Sequence, residues 1–126
     1  MKIYTRAYLS QNLGDDLFVE TLIKRYPNQK FVAISNGFTY NNYKNLKVYK
    51  NKLLYRIIKK YKLEKYIAKM CNITITIGGS MYMEKRNTDK DLEFSFGKNK
   101  HYILGCNFGP YKTEEYLSNV KKAFKE

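Results

Sequence analysis

Asn72-Ile73-Thr74-Ile75-Thr76-Ile77-Gly78-Gly79-Ser80 is the stretch on which the fold turns. Every residue from Ile73 to Ile77 is β-branched. Such side chains pack well on a pleated surface and lose rotamer freedom in a helix. The run stops abruptly at two glycines, which enter positive φ without the cost other residues meet. A short apolar run ended by glycine reads as a buried strand with a tight turn at its carboxyl end.

Toward the C-terminus, residues 84–100 are polar and charged, carry Gly97, and read as a long loop with a helical turn near Leu92 to Phe96. His101-Tyr102-Ile103-Leu104 is a last strand that runs into Gly105-Cys106-Asn107-Phe108-Gly109-Pro110. Thr113 then caps a helix with Glu114 and Glu115 in its first turn and Tyr116, Leu117, Val120 and Phe124 as its buried face. Toward the N-terminus lies a basic amphipathic stretch. Leu53, Leu54, Ile57, Ile58 and Tyr61 form one face, and Lys52, Arg56, Lys59, Lys60 and Lys62 the other. The pattern resumes after a bend in Leu63, Tyr66, Ile67 and Met70. Leu46 to Tyr49 fits an edge strand, and Lys30 to Ser35 a strand closed by Asn36-Gly37. Lys2 to Tyr8 alternates with period two and is a first strand. The turn Ser10-Gln11-Asn12-Leu13-Gly14-Asp15-Asp16 follows it. Phe18, Val19, Leu22, Ile23 and Tyr26 recur at helical spacing until Pro27, and Asp15 or Asp16 suits the N-cap. Strand and helix alternate, which predicts one Rossmann-like three-layer α/β domain over residues 1–126 with a mostly parallel sheet.

Length and composition agree with that reading. The chain has 126 residues, 44% of them hydrophobic, enough for one core. No apolar run nears the roughly 20 residues that span a bilayer, and Met1 leads straight into a strand pattern rather than a signal peptide. The expected location is cytoplasmic. Cys71 and Cys106 border apolar runs outside any C-x-x-C pair and are expected as buried or half-buried thiols. His101 has no His, Cys or Asp beside it, so no metal site is expected. The net charge of +13 favours anionic partners. The same Lys, Asn, Ile and Tyr richness is also what an AT-rich genome produces.

In open parallel sheets, ligands bind outside the carboxyl ends of the strands. Three turns fall on that edge: Asn12 to Asp16, Gly78 to Ser80, and Gly105 to Pro110. Each could be simple punctuation of a strand or a helix. Together they mark a candidate site, with Asn12, Gly14, Gly78, Gly79, Ser80, Asn107 and Gly109 as substrate-binding positions. Asp15 and Asp16 are its candidate catalytic carboxylates. Neither G-x-G-x-x-G nor the P-loop pattern is present, which argues against ordinary NAD or ATP binding. Two acids at a helix start suit sugar hydroxyls, or a positioned lysine or arginine, better than a phosphate.

Asn12-Leu13-Gly14-Asp15-Asp16 after a first strand resembles the N-x-G-D turn that opens polysaccharide pyruvyl transferase family proteins. Gly78-Gly79-Ser80 is similar to that family's glycine-rich turn, with Ser80 where a third glycine is common. Tyr102 to Pro110 resembles its G-x-x-x-G-P segment. The resemblance implies transfer of pyruvate from phosphoenolpyruvate, as donor substrate, to a sugar hydroxyl of a bacterial cell-surface glycan, in exopolysaccharide or cell-wall biosynthesis. No cofactor is implied. It also implies a two-domain, glycosyltransferase B-like protein of which this chain is the N-terminal half. The basic and histidine residues that hold the donor are then expected in a C-terminal domain, and residues 1–126 alone are expected to be inactive.

The implied partners are a glycan or lipid-linked sugar acceptor and that C-terminal domain. The basic face of residues 52–69 suits peripheral contact with an anionic membrane, or is a solvated helix face. A second function class is a basic nucleic-acid-binding or anionic-ligand-binding module without catalysis. Tyrosines interleaved with lysines between Tyr40 and Tyr66 would suit it. No nucleic-acid-binding motif accompanies them, which weighs against that partner.

Overall fold

The computed structural model describes residues 1–9, 13–35, 43–79, 82–84, 100–107 and 109–124. Five parallel strands, β1 (Lys2–Arg6), β2 (Lys30–Ile34), β3 (Leu46–Tyr49), β4 (Ile73–Ile77) and β5 (Lys100–Leu104), form one sheet. Its order is β3-β2-β1-β4-β5. The helices are α1 (Leu13–Arg25), α2 (Lys52–Lys60), α3 (Glu64–Lys69) and α4 (Glu114–Ala123). The expected α/β class, the mostly parallel sheet and the edge position of β3 all hold. Asn36-Gly37 and residues 85–99 of the loop expected across 84–100 lie outside the described residues.

Parallel neighbours need crossovers, and crossovers are right-handed. From β1 the chain moves through α1 to β2, then to β3, and returns through α2 and α3 to β4 on the other side of β1. The helices therefore cover opposite faces. Val19 and Ile23 of α1 pack with Ile3, Phe31, Ala33, Ile75 and Ile77. Ala68 of α3 packs with Tyr4, Val32 and Cys71. Each fully buried aliphatic side chain contributes on the order of 2 kcal/mol. Cys71 is buried and Cys106 half-buried, and neither is in a disulfide.

Helix boundaries and faces differ from the sequence reading in instructive ways. α1 begins at Leu13, so Asp15 and Asp16 lie inside its first turn rather than at its cap. The unpaired N–H groups and dipole of that turn favour carboxylates there as well. Its buried stripe is Asp15, Val19 and Ile23, at spacing four. Phe18 and Tyr26 stay about half exposed. α2 buries only Ile58, whereas Leu53, Leu54, Ile57 and Tyr61 are exposed. Asn51 caps α2 by accepting from the N–H groups of Leu53 (2.8 Å) and Leu54 (3.2 Å). The expected bend falls at Lys62, which takes φ 52° between α2 and α3. On α4, Thr113 is the expected cap, accepting from Tyr116 N–H at 3.3 Å. Tyr116 is buried there and Phe124 is not. No helix among the described residues is long and apolar enough to cross a membrane.

Glu64 ties α2 and α3 to the central strand. Its carboxylate accepts from the Tyr4 hydroxyl (2.9 Å), pairs with Arg6 Nε (3.6 Å) and meets Lys59 Nζ (2.5 Å). Burial alone would raise its proton affinity. The Lys59 charge and hydrogen bond, with Arg6 and Tyr4, outweigh burial and hold the carboxyl below its usual range. A lowered folded-state value adds stability that is complete above the unfolded value near 4.5 and disappears as pH falls through the folded value. Glu64→Gln is therefore expected to cost about 3 kcal/mol at neutral pH, by leaving two cations facing a neutral amide. It should also flatten the acid limb of stability. Urea midpoints recorded from pH 7 down to pH 3 check both; an unchanged acid limb would refute the assignment.

Candidate functional site

The reversal of direction at β1 and β4 opens a crevice at their carboxyl ends, where open α/β sheets bind ligands. The expected turns arrive there from three strands. The first runs from Arg6 through Tyr8 into the start of α1. The second is Gly78 and Gly79, after β4. The third is Gly105 to Asn107, after β5. Asn12 and Ser80, expected site positions, lie outside the described residues. Gly14 is exposed in the first turn of α1.

Asp15 lies between the first and third turns. It is buried, at 6% exposure, and accepts the Tyr8 backbone N–H. Its charge is felt by the Cys106 thiol, which also interacts with the Gly78 backbone. One carboxylate thus bears on the first and third turns, and the Cys106 thiol links the third to the second. Burial raises the Asp15 proton affinity, and the neighbouring Asp16 charge adds to the rise. Asp16 is partly exposed. Burial, and after it the Asp15 charge, also push the Cys106 thiol upward, away from the thiolate.

The second and third turns are fastened to each other. Asn107 N–H donates to Gly79 O (2.5 Å), Gly109 N–H to Tyr82 O (2.9 Å), and Glu84 N–H to Pro110 O (3.2 Å). The backbone donors of Asn107 and Gly109, two of the expected substrate-binding positions, are thus used between the turns. The exposed Asn107 side chain is left facing outward. Glu84 completes the clasp by accepting from the Lys112 and Thr113 N–H groups and from the Thr113 hydroxyl (2.7 Å). The Lys112 bond foremost holds its carboxyl below the usual range. Behind the clasp, Tyr82 is buried with Tyr116, and its ring meets Phe124 edge-on at 5.3 Å. Sequence reasoning missed Tyr82 and Glu84, because no periodicity marks them.

On the other side of β1, a cavity of about 210 Å³ opens between the strand end and α2. Arg6, Tyr8, Ile34, Tyr55, Lys59 and Glu64 line it. His101 stands in the first half of β5, as expected. Its Nε2 lies 2.7 Å from the Thr76 hydroxyl. Burial, with Arg6 nearby, lowers its proton affinity and favours neutral imidazole. Among the described residues, no three His, Cys, Asp or Glu side chains gather as a metal site would need.

A family model described as polysaccharide pyruvyl transferase matches residues 12–126. No curated protein and no solved structure matches the chain.

The glycines divide into two kinds. A Cβ at Gly105 would lie 3.1 Å from the Phe18 ring, and the residue sits at φ 63°. At Gly79 a Cβ would meet nothing within 4 Å. Gly105→Ala is therefore expected to lower stability by about 1–2 kcal/mol through αL strain and the crowded ring. Gly79→Ala should stay within about 0.5 kcal/mol of the parent. Thermal melts of the two variants test this, and equal losses would refute the distinction.

Proposed function

The chain belongs to the polysaccharide pyruvyl transferase family, and from that premise we propose that it forms the acceptor wall of an enzyme that moves pyruvate from phosphoenolpyruvate onto a glycan. Residues 1–126 supply one α/β half of the cleft, and a second domain closes it and holds the donor. The reaction runs on the cytoplasmic side, where bacterial exopolysaccharide and cell-wall precursors are made. The observation that carries the reading is the placement of Asp15, a buried carboxylate with raised proton affinity beside a second carboxylate, against the Tyr8 backbone and near the Cys106 thiol at the carboxyl edge of the sheet.

Ketal formation needs a base. A sugar hydroxyl bonds to carbon 2 of the enolpyruvyl group while carbon 3 gains a proton. A second hydroxyl of the same sugar then displaces phosphate. Asp15 takes the proton from the attacking hydroxyl. A carboxylate is a better base when its proton affinity is raised toward the working pH. Asp16 contributes the second negative charge and orients the acceptor. The exposed Asn107 amide and the open space beside Gly79 bound the sugar. Acids at the start of α1 repel phosphate from that turn, in keeping with an acceptor rather than a donor position.

Asp15→Asn in the full-length protein is expected to reduce kcat by about 10²–10⁴-fold, the usual worth of a general base. Melting temperatures should show that the variant is folded. Asp16→Asn should move the acid limb of the pH–rate profile to lower pH, because it removes a charge that raises Asp15. The assay follows ketal formation and phosphate release from phosphoenolpyruvate. An Asp15→Asn, Asp16→Asn double variant with undiminished transfer would exclude the role.

A further inference from the structure

The apolar arc of α2 is wider than the part that meets the core. Ile58, at its inner margin, is buried, whereas Leu53 is 66% exposed, Ile57 39% and Tyr61 60%. These three stand at spacing four, so they form one stripe along the helix. Arg56 and Lys60, also four apart, run beside it and are exposed. The pattern continues across the Lys62 bend. Tyr66 and Met70 are exposed on α3, and the Lys65 and Lys69 ammonium groups each lie 5.7 Å from the Tyr66 ring centre.

From Lys52 to Met70 there are seven basic residues and one acid, Glu64. That acid is turned inward onto Tyr4, Arg6 and Lys59. The outer surface of α2 and α3 is thus apolar and aromatic along a line, cationic beside it, and free of acidic side chains. A solvated helix face would not leave leucine, isoleucine, tyrosine and methionine in a row. A binding surface for nucleic acid alone would have no use for Leu53 and Ile57. Apolar side chains beside lysines and arginines match the two layers of an anionic bilayer surface, acyl chains below and phosphates above.

We propose that α2 and α3 dock on anionic phospholipid, with Leu53, Ile57 and Tyr61 entering the headgroup boundary and Arg56, Lys60 and Lys65 meeting the phosphates. Only two residues separate the end of β3 from the start of α2, and its Tyr55 and Lys59 line the cavity beside Arg6 and Tyr8. Docking therefore brings the carboxyl edge of the sheet close to the bilayer. On the transfer reading, and resting on it, the acceptor is a glycan presented on a lipid.

Sedimentation with vesicles tests the docking without any activity assay. The chain is expected to bind vesicles of phosphatidylglycerol with phosphatidylcholine at physiological ionic strength, and not vesicles of phosphatidylcholine alone. Leu53→Ser with Ile57→Ser keeps every charge and should weaken binding about tenfold or more. Arg56→Glu with Lys60→Glu should do so as well. All four positions are exposed, and circular dichroism melts should match the parent. Equal binding to both vesicle types, or full binding by the serine pair, would overturn the proposal. So would a dimer in analytical ultracentrifugation that the serine pair dissociates, since the stripe would then serve a second copy. Tighter binding to a single-stranded oligonucleotide than to the anionic vesicles, unaffected by the serine pair, would assign the surface to nucleic acid instead. Loss of transfer by Asp15→Asn with vesicle binding intact would leave the docking standing, and the reverse holds for the serine pair.

Discussion

The Glu64 carboxylate joins the two halves of the layered structure. It draws Tyr4 and Arg6 from the central strand and Lys59 from α2 onto one buried point. Without an acid there, Arg6 and Lys59 would face each other across a partly buried space, and two like charges in such a setting repel. With it, α2 is drawn over the end of β1, leaving the cavity between Tyr8 and Tyr55 open and turning the far side of α2 outward. Both features discussed above, the edge beside β1 and the exposed stripe, depend on where this helix lies.

Handedness of the crossovers settles the rest. Strand order β3-β2-β1-β4-β5 allows one crevice, at the carboxyl ends of β1 and β4. Turns from three strands reach it because each strand is parallel to the next. The clasp between Gly79 and Asn107, continued through Tyr82 and Gly109, spends backbone donors to hold two of those turns in one position. Preorganisation of this kind trades possible ligand contacts for rigidity. A candidate site built this way offers side chains, here those of Asp15, Asp16 and Asn107, more than backbone N–H groups.

Much of the fold was legible in residues 72–80, where a β-branched run and two glycines admit few readings. The acid pair was legible as a helix start, though its offset was not, since position within the first turn alters neither periodicity nor charge. Two kinds of feature were hidden. A pairing such as Glu84 with Thr113 joins residues 29 positions apart that no local pattern links. An amphipathic helix announces its apolar arc but not which part of the arc meets the sheet; α2 buries Ile58 and leaves Leu53 out. Glu64 was hidden for a related reason. One acid inside a basic run reads as an exposed partner for its neighbours until the fold turns it inward.

The distribution of charge bears on what the excess of lysine is for. Five of the eleven acids, Asp15, Asp16, Glu84, Glu114 and Glu115, start α1 or border the clasp at the start of α4. Seven of the twenty-four basic residues crowd into Lys52 to Lys69 on the opposite face of the sheet. A chain of net charge +13 thus keeps its candidate site acidic and its second helical layer cationic. Fields add over the surface but act locally once salt screens them beyond about 8–10 Å. The positive charge therefore does little to draw an anionic substrate to Asp15. Its effect is concentrated where α2 and α3 also expose apolar side chains. The composition that first suggested an anionic ligand thus bears more on the surface of α2 and α3 than on the surroundings of Asp15.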